Sequence, residues 1–275
     1  MKDWVRTPKF IIRLLLSLLL IIVFLAPFYW MFLSAFKTLD EVIAVPPKFW
    51  VDKLQWVNFQ QAFTRINFMH YTKNSIIITA GTIIGQILVV VPAAYAFARY
   101  QFRGKGVLFG LVLFTMMIPG QLIFLPIFVM FAKTGLLNTY ISLIVPFIAS
   151  GMAIFMLRQT FMQIPDSILE AARLDNAGEF KIIRTIMLPM AIPTLSTLAL
   201  LTFIGTWNSY FFPLAWTTTD AVRTLPLGVK KLQDAEGLNP HIVMAGNMML
   251  ILPVLIIFSF ARKHIIKAFT YSGVK

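Results

Sequence analysis

The chain has 275 residues, of which 59% are hydrophobic and only 13% are charged, whereas soluble domains carry about 25% charged residues. The apolar residues come in long uninterrupted runs, which excludes a soluble globular fold and the alternating pattern of a β-barrel. The net charge of +13 arises mainly from basic residues that flank these runs, so it indicates membrane topology and not nucleic-acid binding. A chain without cysteine forms no disulfides or thiolate metal sites. The sequence therefore predicts an all-α polytopic membrane protein embedded in a lipid bilayer.

A basic segment at residues 1–13 precedes the first predicted span at 14–35. This apolar run is longer than the core of about 7–15 residues in a secretory signal peptide, so we expect it to remain as a membrane helix. The polar segment at 36–74 follows. Within it, the pattern F-x-x-x-F-x-x-I from Phe59 predicts a short amphipathic helix on the membrane surface.

Residues 75–261 hold five further predicted spans and one long polar segment. The spans lie at 75–98, 107–132, 139–157, 190–216 and 242–261. In the second of the six spans, Gly81 and Gly85 are expected to allow close helix packing. In the third, Pro119-Gly120 and Pro126 are expected to bend the helix, because proline removes a backbone donor.

Lysine and arginine are concentrated on one side of the six predicted spans. They lie in the N-terminal segment, the 99–106 loop, the 158–189 segment and the C-terminal tail at 262–275. Short cytoplasmic loops carry the excess of basic residues in membrane proteins. Both termini and the 158–189 segment are therefore predicted to lie in the cytoplasm.

The five predicted spans between Ser75 and Ala261 contain no Asp, Glu, Lys, Arg or His. Ion-coupled carriers usually place ionisable groups in the membrane. The sequence also has no G-x-x-x-x-G-K-[ST] phosphate-binding loop. If the chain transports a solute, a partner must supply the energy.

Neutral polar residues do occur in the spans, and the densest cluster runs from Thr206 to Tyr210. Amides and hydroxyls beside aromatic faces suit a neutral, hydroxyl-rich ligand such as a sugar. The candidate substrate-pathway residues are Thr115, Gln121, Thr206, Trp207, Asn208, Tyr210 and Asn247. Two other interpretations stay open: these groups hydrogen-bond between helices, or the cluster is an aromatic belt near a helix end.

The 158–189 segment carries acidic residues where short cytoplasmic loops are normally basic. The run Ser167-Ile168-Leu169-Glu170 predicts a capping box, and hence a helix start. One face of this helix is expected to combine Ile168, Ala171, Ala172 and Asp175, and the alanines would let another surface approach closely. Docking onto a partner and packing on its own bundle are equally open at this point.

A turn and a second helix are expected to follow within the same segment. Asn176-Ala177-Gly178 should end the first helix, since asparagine and glycine best tolerate a positive φ. Phe180, Ile183 and Met187 then predict a second amphipathic helix, which Pro189 would separate from the fifth span.

The segment resembles the loop signature of importer-type ABC transporter permeases, E-A-A-x-x-x-[G]-x9-I-x-L-P. Here it reads Glu170-Ala171-Ala172, then Asn176 in the usual glycine place, then Ile186 and Leu188-Pro189. More narrowly, the chain resembles the second permease of the maltose-type carbohydrate uptake systems over nearly its whole length. The matching fragments include A-Y-A-F-A-R-Y at 94–100, M-M-I-P-G-Q at 116–121 and R-T-L-P-L-G at 223–228.

The resemblance implies a type I ABC importer permease fold in which a short cytoplasmic coupling helix docks in a cleft of an ATPase subunit. The residues implied at that contact are Glu170, Ala171, Ala172, Asp175, Asn176, Ala177 and Gly178. It further implies a bacterial or archaeal inner-membrane complex with a second, paralogous permease, two cytoplasmic ATPase subunits, an external solute-binding protein and a sugar substrate. The chain would bind no cofactor and would not be an enzyme, because ATP and Mg would be used by the ATPase subunits.

Two alternatives from other classes remain: a self-sufficient secondary carrier and a non-transporting structural membrane subunit. The charge-free spans and the E-A-A loop argue against the carrier.

Overall fold

The structure, a computed structural model, describes residues 8–234 and 239–270. Helices account for nearly all regular structure there: α1 (Pro8–Ala35), α2 (Leu39–Ile43), α3 (Val57–Arg65), α4 (Phe68–Arg99), α5 (Lys105–Thr115), α6 (Gly120–Lys133), α7 (Tyr140–Ile144), α8 (Gly151–Met162), α9 (Asp166–Leu174), α10 (Glu179–Ile182), α11 (Leu188–Met190), α12 (Ile192–Trp207), α13 (Phe211–Trp216), α14 (Leu225–Asp234) and α15 (Pro240–Thr270). A 3₁₀ turn at Val145–Phe147 extends α7, and a π-helical turn at Ile183–Met187 joins α10 to α11. The chain forms two compact units, one of residues up to Phe68 with Gly228–Leu252, the other of Met69–Leu227 with the chain from Pro253.

Among the described residues, three helices are long and apolar enough to cross a membrane: Phe10–Ala35, Phe68–Arg99 and Pro240–Phe260. Three helix pairs meet the same criterion together, but they are bent by 97°, 44° and 80° at their breaks. Counting each bent pair as one span gives six. The predicted all-α membrane fold is confirmed, and the predicted number of spans is reached on that count.

The largest bend, 97°, separates α5 from α6 and falls at the predicted position, with Pro119 at the N-cap of α6. Pro126, in contrast, lies inside α6, which continues past it to Lys133. The break before Gly151 was not predicted, whereas the break at Ala191 lies two residues after Pro189, where a helix end was predicted. The predicted span limits remain predictions of where the bilayer lies, because the structure fixes helix ends and not membrane boundaries.

In the first unit, α3 buries Asn58 and Ala62 and leaves Phe63 exposed. The amide of Asn58 donates to the carbonyl oxygens of Ala35 (2.9 Å) and Lys37 (2.8 Å), where α1 ends. The predicted short helix is therefore present, with the polar Asn58 inside because these carbonyls must be satisfied, and its position on a membrane surface stays a prediction. Burial lowers the pKa of Lys37, whose ammonium donates to the carbonyl of Lys48.

In the second unit, the larger core forms where α4, α8, α9 and α12 meet. It includes Tyr95 of α4, Phe161 of α8, Leu169 of α9 and Met187, each at most 2% exposed. Short helix α9 thus rests on the bundle through a fully buried leucine. Near the middle of α4, a Cβ atom on Gly81 would lie 2.7 Å from the side chain of Ile144. The close packing expected at this glycine is therefore present.

Candidate functional site

Helix α9 lies in the acidic polar segment and begins at Asp166, one residue before the predicted start. Its N-cap is Pro165, with φ −61° and ψ 138°, and a proline side chain has no group that accepts a hydrogen bond. The predicted capping box at Ser167–Glu170 is therefore wrong. Pro165 sets the extended conformation that starts the helix, and the Asp166 carboxylate occupies the first turn, where negative charge is stabilised.

One face of α9 is turned toward the bundle and the opposite face away from it. Leu169 is 1% exposed, and Ala172 is partly buried against the same core. Four residues spaced at i, i+3, i+4 and i+7 form an exposed outward stripe: Ser167, Glu170, Ala171 and Leu174. Ala171 is exposed, whereas Ala172 packs partly against the core beside Leu169, so the two alanines do not share one exposed face; their docking role stays a prediction.

The outward stripe ends in Leu174, which is 85% exposed, and Phe180 beyond the turn is 77% exposed. Sequence reasoning did not select Leu174 as a site residue. The available signal was its spacing, four residues after Glu170, combined with an apolar side chain on an otherwise polar face. Large apolar groups at this level of exposure on a polar loop indicate a contact surface.

The turn after α9 forms where it was predicted. Asn176 has a φ of +54°, and its N–H donates to the carbonyl of Arg173 (3.0 Å). The N–H of Ala177 donates to the carbonyl of Ala172 (3.0 Å), and these two bonds together form a Schellman motif. Asn176 therefore takes the left-handed position, whereas Gly178 has a φ of −65° and does not share it.

Asp175, Asn176 and Gly178 are exposed around this turn, while Ala177 is partly buried against the core. Of the seven predicted contact residues, Ala172 and Ala177 thus face the bundle. The remaining five are on the solvent-facing side of the loop and are available to a partner.

Arg99, the last residue of α4, is attached to the start of α9. Its side chain is 8% exposed, and its Nη1 lies 2.5 Å from Oδ1 of Asp166. Its Nη2 donates to the carbonyl oxygens of Phe161 and Ile164, which lie at and just beyond the end of α8. One guanidinium thereby joins the ends of α4 and α8 to the first residue of α9.

A second attachment joins α4 to the end of α9. The hydroxyl of Tyr95 donates to the carboxylate of Glu179, which also accepts from Nε of Arg173 at 3.2 Å. Arg173 is the penultimate residue of α9. The helix is therefore connected to the last turn of α4 near both of its ends.

The second predicted helix of the segment is present but divided. It comprises α10, the π-helical turn and α11. Pro189 lies within α11 and does not end the helix. The wide π-helical turn directly before Pro189 makes room for the ring, which would otherwise meet the preceding turn. The predicted separation from the next helix is present, but the 80° bend lies at Ala191, two residues after Pro189.

The predicted substrate cluster lies at the end of α12. Trp207 is 2% exposed and stacks on Phe203 at 5.5 Å, so its face is not available to a solute in this conformation. Asn208 is exposed at the C-cap and donates to the carbonyl of Ile204 (2.9 Å), while Thr206 is partly buried and Tyr210 is exposed. The cluster is a helix-end turn and not a single pocket.

The other predicted pathway residues are spread over the chain. Thr115 donates to the carbonyl of Val112 (2.7 Å) at the end of α5, and Gln121 is exposed at the start of α6. Asn247 belongs to the first unit. A polar contact between spans does form elsewhere, where the hydroxyl of Thr202 donates to the side-chain oxygen of Gln86 at 2.6 Å. It lies beside a small cavity lined mainly by apolar side chains of α4, α8 and α12.

Comparison with known proteins gives consistent results. The family described as "Binding-protein-dependent transport system inner membrane component" matches residues 90–271. The chain is 35% identical over 219 residues to the arabinooligosaccharides transport system permease protein AraQ of Halalkalibacterium halodurans, covering 79% of this chain and 78% of that protein. It is 30% identical to AraQ of Bacillus subtilis, covering 98% and 99%.

The fold is similar to that of a solved chain from a bacterial ABC transporter involved in import of the acidic polysaccharide alginate. The TM-score is 0.86 at 23% identity, over 96% of this chain and 100% of the other. At this identity the likeness concerns the fold alone.

Proposed function

The chain belongs to the family of binding-protein-dependent transport system inner membrane components, and we propose that it forms half of the translocation pathway of an ATP-driven carbohydrate importer. As a permease of this family it is a non-catalytic, multi-pass membrane subunit. The observation that carries the proposal is the outward stripe of α9, which presents Glu170 and Ala171 of the E-A-A signature to solvent. The AraQ relatives, named for arabinooligosaccharide transport, support a carbohydrate as the solute.

We place ATP and Mg in two partner ATPase subunits, with a second permease completing the pathway and an external protein delivering the solute. The lack of ionisable residues in the predicted spans between Ser75 and Ala261 supports an external energy source. The basic residues of the 1–13, 99–106, 158–189 and 262–275 segments support a cytoplasmic position for α9 and for both termini.

In this arrangement α9 is the coupling helix and enters a cleft of the ATPase. The carboxylate of Glu170 is exposed and pairs with a basic side chain there through a charge-assisted hydrogen bond. Ala171 allows close approach, and Leu174 and Phe180 bury apolar surface on contact. The left-handed turn at Asn176 ends the helix so that the loop returns to the bundle.

The substitution Glu170→Lys tests this docking. The variant is expected to insert in the membrane and to lose the ATPase subunits on purification, because it sets like charge against like. Asp52→Lys, the same reversal at an exposed acid of the 36–74 segment, is the control and should retain them. Normal ATPase recovery together with normal ATP hydrolysis in Glu170→Lys would remove the docking role.

Uptake into proteoliposomes separates importer from carrier. With the external binding protein supplied, uptake of arabinooligosaccharides should require ATP and both ATPase subunits, and it should persist when ionophores dissipate ion gradients. The same assay with sn-glycerol 3-phosphate tests the carbohydrate assignment, because uptake of this polyol phosphate in place of the sugar would contradict it. Gradient-driven uptake by this chain alone would establish the secondary carrier instead.

A further inference from the structure

We propose that Arg99 and the Tyr95–Glu179–Arg173 chain are positioning residues that fasten both ends of α9 to the last turn of α4, so that α9 and α4 move as one body. The inference rests on the proposed function, in which α9 receives the motion of the ATPase. It adds that α4 receives the motion from α9, and it names the side chains that pass this motion on.

The attachment at the start of α9 depends on the geometry of one guanidinium. Nη1 of Arg99 pairs with Asp166, while Nη2 donates to the carbonyls of Phe161 and Ile164. The donors of a guanidinium point in fixed directions within one plane, so these three acceptors define its orientation. The ammonium of a lysine would keep the charge without fixing these directions.

The attachment at the end of α9 uses a different set of groups. Tyr95 is 2% exposed and packs edge-on against Phe161, with ring centroids 6.3 Å apart, so its hydroxyl is held in place by the core. That hydroxyl donates to Glu179, which in turn accepts from Arg173. The carboxylate of Glu179 is thus a bridge between the rigid end of α4 and the last turn of α9.

Both attachments start from the same turn of α4, because Tyr95 and Arg99 are four residues apart and lie on one face of the helix. Between them, Leu169 fills the core beneath the middle of α9. A helix held near both ends and at its centre resists rotation about any one contact. The outward stripe stays open to a partner, while displacement of α9 is passed to α4, which has 32 residues and is about 48 Å long.

The cysteine-free chain allows a direct test with two introduced spin labels. One label is placed at Ile168→Cys, beside the outward stripe of α9, and the other at Ile84→Cys, an exposed position on α4. The 15 residues from Ile84 to the end of α4 correspond to about 22 Å along the helix, a range suited to double electron–electron resonance. Distances are measured in the purified complete transporter without nucleotide and with ATP in EDTA, which prevents hydrolysis.

The otherwise unmodified pair should give one narrow distance distribution that is the same in both states. Arg99→Gln combined with Tyr95→Phe should broaden it and make it shift with ATP, whereas Arg103→Gln, at an exposed arginine after α4, should leave it narrow. An equally narrow, unshifted distribution in the double variant would overturn the proposal. If the double variant does not assemble, Tyr95→Phe alone, which removes a single oxygen atom, gives the same comparison with the same two outcomes.

Docking and transmission are separated by two further readouts. The double variant should retain its ATPase subunits, because the outward stripe is unchanged, yet its arabinooligosaccharide uptake per ATP hydrolysed should fall about tenfold. Uptake per ATP equal to that of Arg103→Gln would count against the positioning role. Absence of ATPase subunits from the unmodified transporter would instead contradict the proposed function, and the label distances in the permease pair would still test the attachment.

Discussion

The two ends of α4 are anchored by groups of opposite character. At the N-terminal end, Asn74 is fully buried, donates to the carbonyls of Ala221 and Arg223 (both 3.0 Å) and accepts from the hydroxyl of Tyr140 (2.7 Å). All of these groups are uncharged side chains or main-chain carbonyls. At the C-terminal end the anchors are ion pairs and a tyrosine–carboxylate bond, and the Asp166 side chain is 79% exposed.

The difference implies that one end of α4 contributes to the stability of the fold and the other end to the orientation of α9. A buried amide that loses its partners leaves unsatisfied polar groups, which cost about 1–3 kcal/mol each. In the Arg99–Asp166 pair the arginine is 8% exposed but the carboxylate is 79% exposed, and a pair with one partner in water contributes only about 0–1 kcal/mol while it can still fix an orientation. The N-terminal anchor should therefore stabilise the fold, and the C-terminal anchor should fix the direction of α9 at little energetic gain.

The largest effect is expected for Asn74→Leu. The substitution removes the buried amide that pairs with the Tyr140 hydroxyl and with the carbonyls of Ala221 and Arg223, so the free energy of unfolding should fall by about 2–3 kcal/mol. SDS titration of the purified protein measures it. Gln60→Leu, at an exposed amide of α3, serves as the control and should change stability by less than about 0.5 kcal/mol. Equal losses in the free energy of unfolding from the two substitutions would show that the N-terminal anchor of α4 does not stabilise the fold.

A smaller effect is expected for Tyr140→Phe. Only the hydroxyl that donates to Oδ1 of Asn74 is removed, and the ring is kept, so the same titration should give a loss of about 1 kcal/mol. In combination with Asn74→Leu the two losses should not add, because both act on one network. Full additivity would mean that the hydroxyl and the amide act independently.

The smallest effect on stability is expected for Asp166→Asn. Its carboxylate is largely exposed, so the free energy of unfolding should change by less than about 1 kcal/mol, although the tie between Arg99 and α9 is weakened. A loss comparable to that of Asn74→Leu would show that the C-terminal end also carries the fold, and the proposed division of roles would be wrong.

Sequence patterns predicted the features of this molecule that depend on a few neighbouring residues. The apolar runs predicted an all-α membrane fold, the bend at Pro119 followed from the ring chemistry of proline, and the left-handed turn at Asn176 followed from its tolerance of positive φ. The E-A-A motif identified the family that the comparisons then established. Each of these signals is contained in a few neighbouring residues.

The features that were missed depend on distant contacts or on competing local ones. Arg99 meets Asp166 across 67 positions and Tyr95 meets Glu179 across 84, and no periodicity links such pairs. The capping box at Ser167 was displaced by Pro165, which starts the helix one residue earlier. Ala172 faces inward because Leu169 of the same helix packs into the core, and the spacing of neighbouring residues alone does not predict that contact.

The most direct test of the docking of α9 is cross-linking from single cysteines introduced into this cysteine-free chain. Leu174→Cys lies on the outward stripe, and Thr218→Cys lies on an exposed loop near the N-terminal end of α4. With a maleimide–benzophenone reagent of about 10 Å, whose maleimide adds to the introduced thiol and whose benzophenone inserts into a neighbouring C–H bond on irradiation, Leu174→Cys in the complete transporter should form a covalent adduct with an ATPase subunit, and Thr218→Cys should not. An ATPase adduct from Thr218→Cys, together with its absence from Leu174→Cys, would contradict the account.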